Sequence, residues 1–408
     1  MKIHRLLIDQ MALAIKDIFS TQHHAHKVIE SYLKKNRKWG SRDRRFFAES
    51  VYDLVRSWRL YWSLAGFSDL DYRQGETMST GQIERVWATY YVCKNHEPIP
   101  WPEFDNIDRH QIEERRKKIT SEGILLSYPD ELLKILKDEW KADWNSLAKS
   151  LNEPADVYLR TNSLKTSRDS LASRLNQEEI HVEKVASDPL ALRLTERKNV
   201  FVSPTFQEGL FEVQDLGSQK IGPFLKIEPG LRVIDACAGA GGKSLHLACL
   251  MKNKGKIIAL DIYDRKLQEL RTRAKRNGVD IIETRLIENT KVIKRLEKAA
   301  DRVLLDVPCS GLGVLRRNPD KKWKVTGADI QRLTELQWQI LTGYSDMTKP
   351  GGYLVYATCS LLPSENERQV KRFMSERGTD WELEEEVFLR PDKDPTDGFY
   401  AARLKRRQ

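Results

Sequence analysis

Cysteine is scarce in this sequence. The five cysteines, Cys93, Cys237, Cys249, Cys309 and Cys359, are odd in number, widely spread and never in a Cys-x-x-Cys pair. That argues against a disulfide framework or a zinc knuckle, and no metal is expected. Long apolar runs are missing as well, and no stretch has the length needed to span a bilayer. The opening MKIHRLLIDQMALAIKDIF carries charges at regular intervals, so a signal peptide is not expected. Internal repeats and low-complexity tracts do not occur. The expectation is a cytoplasmic protein with no membrane partner, where thiols stay reduced and a cysteine can be a nucleophile. A monomer is expected.

Two phosphate-binding fingerprints are lacking too. The segment DACAGAGGKS, 235–244, ends like a triphosphate loop, but the glycine required five residues before Gly242 is Cys237. The dinucleotide pattern would use Gly239, Gly241 and then a glycine at 244, which is serine.

What the chain does have is positive charge. Its formal net charge is +10. Residues 231–408 hold 34 Lys+Arg against 25 Asp+Glu, a surplus of nine, so everything before them nets only +1. An acidic partner, above all nucleic acid, is the natural complement; the alternative is a basic balance that serves solubility.

The apolar pattern changes twice along the chain. Residues 1–145 read as helices, clearest after Ser41 as N-cap, where Phe47, Val51, Val55, Trp58 and Trp62 form one buried face. Arg42, Arg44 and Arg45 crowd the first turn of that helix, where the dipole disfavours cations, which suggests either phosphate contact or a solvated face. HEPIPWPEF, 96–104, reads as a loop. Over 150–228 the pattern becomes strand (VYLRTNSL), helix capped by Ser167, strand (HVEKVAS), strand (ALRLTE), a small α+β module. Over 229–408, LRVIDA, KIIALD, DIIETRLI, RVLLDV and YLVYATC alternate with helical stretches, which predicts a parallel, doubly wound α/β sheet. Ligands of such sheets bind beyond the strands' carboxyl ends. The loop 235–244, Asp261, Asp306, Cys309 and Cys359 all fall there, and that shared edge predicts one site.

The first strand runs into a short glycine-rich turn that lets backbone approach a ligand. Asp261 ends the second strand, where a carboxylate can accept both hydroxyls of a ribose. An acid there beside a poor phosphate loop points to an adenosine-bearing cofactor without a pyrophosphate, namely S-adenosylmethionine; an ordinary tight turn is the plainer reading.

Together these segments resemble the Nol/Nop/Sun family of RNA cytosine-5 methyltransferases. DACAGAGGKS is similar to that family's D-x-C-A-A-P-G-G-K-[ST] loop, DVPCSG to D-A-P-C-S-G, and ATCS to T-C-S. PSENE (363–367), VQDLGSQ (213–219), DGFYAARL (397–404) and RTN (160–162) also match, so the resemblance covers about 155–404. GVLRRNPDKKW, 313–323, most resembles the bacterial RsmB or Sun subgroup, which methylates small-subunit ribosomal RNA. The resemblance implies a Rossmann-like class I S-adenosylmethionine-dependent methyltransferase domain. It also implies a preceding RRM-like module and an all-α NusB-like RNA-binding domain at the N-terminus. Two departures stand out: Gly239-Ala240 replaces Ala-Pro, and Glu288 or Asn289 stands where an aspartate commonly follows the third strand.

By resemblance, the cofactor would be held by Cys237, Ala238, Gly239, Ala240, Gly241, Gly242, Lys243, Asp261, Asn289 and Asp306. Carbon 5 of cytosine is a poor nucleophile until a thiolate adds to carbon 6. The resemblance makes Cys359 that nucleophile and Cys309 the residue that assists product release. Asp306 would face the pyrimidine's N3/N4 edge, although it could simply cap its turn, and Pro308 stiffens the turn before Cys309. Cys237 and Cys249 read as packing residues. The rivals are the same chemistry on tRNA or another RNA, a DNA cytosine methyltransferase attacking through Cys309, a small-molecule methyltransferase, and a non-catalytic RNA-binding assembly factor.

Overall fold

Aromatic residues at helical spacing build the first of two compact units, Met1–Pro154 with Leu315–Gly327. The structure is a computed structural model and describes residues 3–72, 77–97 and 99–408. Phe47, Val51, Val55, Trp58 and Trp62 are all buried, as the periodicity requires. Two details differ from the sequence reading. The N-cap is Gly40, with Ser41 as first helical residue, and the helix is broken in two, Ser41–Arg56 and Trp58–Leu64. The break has a physical cause. The Arg59 amide donates to Ser127 Oγ at 2.9 Å rather than to Val55, whose carbonyl accepts from Trp323 Nε1 at 2.8 Å. The Arg56 carbonyl accepts from Lys322 Nζ at 2.6 Å, and Lys322 also reaches Asn152 Oδ1 at 2.8 Å. The Lys-Lys-Trp of 321–323 is therefore a structural element of the helical unit. Within HEPIPWPEF, Pro102–Phe104 forms a 3-10 turn, and Pro98 lies outside the described residues.

The second unit is Ala155–Val314 with Ala328–Gln408. It begins with strands β1 (Tyr158–Thr161), β2 (Val182–Lys184), β3 (Ala191–Leu194) and β4 (Phe211–Val213), in order β2-β3-β1-β4 and antiparallel throughout. The Ser167 side chain caps the helix Arg168–Gln177, accepting from the Ser170 amide. β4 ends at Val213, the first residue of VQDLGSQ, and at three residues is too short to be read as a strand on its own.

The larger sheet comprises β5 (Arg232–Asp235), β6 (Lys256–Asp261), β7 (Ile282–Leu286), β8 (Ala300–Asp306), β9 (Thr348–Thr358), β10 (Trp381–Leu389) and β11 (Phe399–Arg406). Its order is β10-β11-β9-β8-β5-β6-β7. The five strands read from sequence are parallel. The sheet as a whole is mixed, because β11 pairs antiparallel with β9 and with β10. Residues of the central strands alternate between two cores: Ile234, Ile258, Val303, Leu305 and Tyr356 on one face, Val233, Ile257, Leu304 and Val355 on the other. Burial on both faces explains why these strands are continuous apolar runs. From β5 the chain winds outward through β6 and β7, then returns to β8 on the other side of β5. The crevice at that switch point lies between the ends of β5 and β8.

Candidate active site

Four neighbouring strands, β9, β8, β5 and β6, deliver Thr358, Asp306, Asp235 and Asp261 to one edge. Beyond it lies a cavity of about 550 Å³, within the range of small-molecule sites. Its walls include Asp235, Cys237, Ala238, Gly239, Ala240, Gly242, Lys243, Asp261 and Asp306. Most of the residues singled out from sequence thus meet here.

The turn after β5 is drawn tight by its glycines. Gly239 has φ 55° and Gly241 φ 86°, and a Cβ on Gly241 would lie 2.5 Å from Leu270 Cγ, so no side chain is tolerated there. Gly241 shapes the loop without lining the cavity. Asp261 latches the loop: Oδ2 accepts from the Gly239 amide at 2.8 Å and Oδ1 from the Tyr263 amide at 2.9 Å. Each oxygen keeps a second lone pair for a ligand hydroxyl. Asp235 is fully buried, with Oδ2 accepting from Ser244 Oγ at 2.6 Å and Oδ1 without a hydrogen-bond partner. Burial pushes its pKa up to about 7, opposed by Ser244, with nearby Asp306 adding to the rise. The ionised form of such a carboxylate on a cavity wall is a receptor for a cationic donor, which would in turn stabilise that charge.

Asp306 pairs with Lys243, Nζ to Oδ2 at 2.6 Å. Burial works against the Lys243 ammonium, but Asp306 and the Cys359 sulfur outweigh it, and its pKa lies above the ordinary lysine value. Cys309 and Cys359 are both half-buried, with sulfurs 3.3 Å apart, and all five cysteines are thiols outside any disulfide. The two cysteines do not line the cavity itself; the adjacent Pro308 does. Burial pushes the Cys237 thiol far up, so it stays protonated. Cys249 is buried against Asn162 Oδ1 at 3.4 Å.

Asn289 is not brought to the cavity. Its side chain caps the helix Thr290–Lys294, it and Glu288 are exposed, and the third strand end contributes Ile287 instead. Sequence reasoning also missed several walls: Gln214, Ser218, Ile262, Tyr263, Lys266, Arg273 and Tyr344. Gln214 and Ser218 lie in VQDLGSQ, whose role no pattern revealed. Arg160 of RTN bonds Gln214 and the Gly242 carbonyl, the latter at 2.8 Å. Arg273 holds the Ala240 carbonyl at 2.7 Å and Glu212 at 2.8 Å. Two buttressing arginines, one from the small module, thus fix the carbonyls of the glycine loop. Among the described residues there is no His/Cys/Asp/Glu group suited to a metal, and no helix long and apolar enough to cross a membrane.

Comparison with known proteins bears on this arrangement. Residues 223–405 match the family model described as 16S rRNA methyltransferase RsmB/F, and residues 128–201 match the RsmF/B-like ferredoxin-like domain. A probable ribosomal RNA small subunit methyltransferase B from Synechocystis sp. is 36% identical over 320 residues, 72% of either chain. The crystal structure of a methyltransferase homolog protein from Pyrococcus horikoshii is 28% identical and superposes with TM-score 0.62 over 70% of this chain and 97% of that one. PH0851 superposes over all of both chains with TM-score 0.83 at 23% identity, a likeness of fold. The small antiparallel module is accordingly ferredoxin-like, the larger sheet is a class I methyltransferase fold, and S-adenosylmethionine is the methyl donor. With a Synechocystis relative this similar over nearly three-quarters of its length, the chain belongs to the RsmB/F family of 16S rRNA methyltransferases.

Proposed function

We propose that the protein methylates carbon 5 of a cytosine in small-subunit ribosomal RNA through a covalent Cys359–cytosine adduct, with Cys309 assisting release. The observation that carries this reading is the pair of thiols 3.3 Å apart, beside the Lys243–Asp306 ion pair. S-adenosylmethionine supplies an electrophilic methyl group on a sulfonium. Asp235 Oδ1, buried and unpartnered, suits the cofactor's ammonium, and the Asp261 carboxylate suits the ribose hydroxyls. Ile262 and Tyr263, both exposed on the cavity wall, offer apolar surface to the adenine.

The remaining chemistry belongs to the chain. The Cys359 sulfur adds to carbon 6 of the pyrimidine, which makes carbon 5 nucleophilic. Asp306, held by Lys243, faces the N3/N4 edge, where its carboxylate accepts from the exocyclic amine and from N3 once that nitrogen takes up a proton on sulfur addition. After methylation the proton on carbon 5 is removed, the carbon 5–carbon 6 double bond re-forms, and the Cys359 sulfur departs as thiolate. The choice of Cys359 over Cys309 as nucleophile rests on the resemblance of ATCS to the family's T-C-S motif.

The helical unit is proposed to bind the RNA. Lys34, Lys35, Arg37, Lys38, Arg42 and Arg45 are exposed within a dozen residues, a density of cations suited to phosphates. The deciding experiment uses methyl-labelled S-adenosylmethionine with small-subunit rRNA, tRNA and duplex DNA, followed by nucleoside analysis. Labelled 5-methylcytidine from the rRNA is expected. Label in another base would refute the chemistry, and label confined to tRNA or DNA would refute the substrate.

A further inference from the structure

The PSENE segment has no part in the chemistry above, yet the first of its two glutamates lies at the centre of the thiol site. Glu365 is fully buried. Its Oε1 accepts from the Ser310 amide at 2.8 Å and from Gln337 Nε2 at 2.9 Å, and its Oε2 accepts from Ser310 Oγ at 2.5 Å. Gln337 Nε2 also donates to the Pro308 carbonyl at 2.9 Å. Both neighbours of Cys309 are therefore anchored through one carboxylate. The next residue does the same for Cys359: Asn366 Oδ1 accepts from Thr358 Oγ1 at 2.5 Å, and Asn366 Nδ2 donates to the Ser360 carbonyl at 3.0 Å. The Ser310 and Ser360 hydroxyls, 3.3 Å apart, close the link between the two loops.

All the hydrogen-bond partners of Glu365 are neutral. A buried carboxylate without a cation is costly, and a neutral glutamine of the same volume would be cheaper to bury. Three donors converge on this side chain, however, and only a carboxylate accepts on both oxygens. We infer that Glu365 is a positioning residue that sets the separation of the two thiols, and that it governs release of the methylated product more than attack. The inference rests on the covalent cytosine-5 reading. Attack draws on Cys359, the Lys243–Asp306 pair and the ring, and on neither Cys309 nor its distance from Cys359. Release needs Cys309 placed against a pyrimidine already bonded to Cys359, so it depends on the distance between the loops.

Glu365→Gln keeps the volume but turns one acceptor into a donor facing the Ser310 hydroxyl. Single-turnover reactions with rRNA, followed on denaturing gels, separate adduct formation from adduct decay. Decay is expected to slow by about 10- to 100-fold while formation stays within about threefold, the scale of a small misplacement of a reacting group. The affinity for S-adenosylmethionine, measured by calorimetry, should be unchanged. Ser310→Ala removes only the hydroxyl contact and should slow decay in the same sense by a smaller factor; it decides the matter if Glu365→Gln does not fold. Equal slowing of both steps would reduce Glu365 to a structural role, and wild-type behaviour in both variants would overturn the inference outright. Cys309→Ala is the reference. If it traps no adduct and the wild type yields no 5-methylcytidine, the proposed chemistry has failed, an outcome distinct from failure of the Glu365 inference alone.

Discussion

At the ends of β5 and β6 the site is made mostly of backbone. Glycines with positive φ bend the loop, Asp261 latches it, and Arg160 and Arg273 hold its carbonyls. At the ends of β8 and β9 it is made of side chains, with each cysteine lying between two residues fixed by Glu365, Gln337 or Asn366. The difference reflects the two tasks. A cofactor that is bound and exchanged intact needs a shaped cradle. On the proposed chemistry, a substrate bonded to one sulfur and released with the help of another needs two reactive groups at a set distance.

That contrast breaks most sharply at the sulfurs. Cys359→Ala should abolish methylation and leave no adduct, whereas Cys309→Ala should form the bond and fail to break it, accumulating protein–RNA adduct on a denaturing gel. The reverse pattern would make Cys309 the nucleophile, and no adduct in either variant with methylation intact would remove covalent catalysis. Next in size is Asp306→Asn, which dissolves the ion pair with Lys243. Its single-turnover methylation should fall by about 10²- to 10⁴-fold, the range for a positioned acid or base group. Unchanged turnover would leave Asp306 as a turn cap.

On the cofactor side the expected losses are in binding. Asp261→Ala should weaken S-adenosylmethionine by about ten- to over a hundredfold, the scale of about 1.5–3 kcal/mol for a charged hydrogen bond, while RNA affinity holds. Calorimetry showing equal cofactor affinity would remove Asp261 from the site. Asp235 gives a subtler signal. Burial lifts its pKa to about 7. Between the ordinary carboxylate range and about 7 the apo fold therefore holds a proton that the unfolded chain does not. Stability of the apo protein should fall as pH rises through that window. Asp235→Asn should remove this slope and melt higher at pH 8, by about 2–4 °C for each kcal/mol relieved, and should lose the stabilisation that saturating cofactor gives the wild type. Parallel melting curves across pH 5–8 would show that Asp235 stays ionised.

The smallest effect concerns the helical unit. Reversing Arg37, Lys38 and Arg42 to glutamate should weaken rRNA binding and flatten its salt dependence, with cofactor affinity unchanged. Point substitutions are the sounder test here than removal of residues 1–145. Trp323 and Lys322 are hydrogen-bonded to Val55, Arg56 and Asn152, so truncation would strip partners from a segment far along the chain.

The aromatic face from Phe47 to Trp62, the five parallel strands, the glycine turn, Asp261, Asp306 and both thiols were all legible in the amino-acid order. Each is local: a period of 3.6 or 2, a run of β-branched residues, or a motif of a few consecutive positions. Three things were not. The helix break at Ser57 depends on Ser127 and Trp323, distant residues that take the backbone groups of Arg59 and Val55. The absence of Asn289 from the cavity follows from its side chain capping the next helix. The roles of Arg160, Gln214 and Glu365 arise because residues 54 to 82 positions apart meet at the glycine loop and at the loop of Cys309. Sequence alone determined the long, regular elements and which chemical groups stand at their ends, because those depend on near neighbours. Only the tertiary structure decided which buried polar atoms find partners, and so which residues hold the reacting groups in place, because hydrogen bonds in the interior depend on distance in space rather than along the chain.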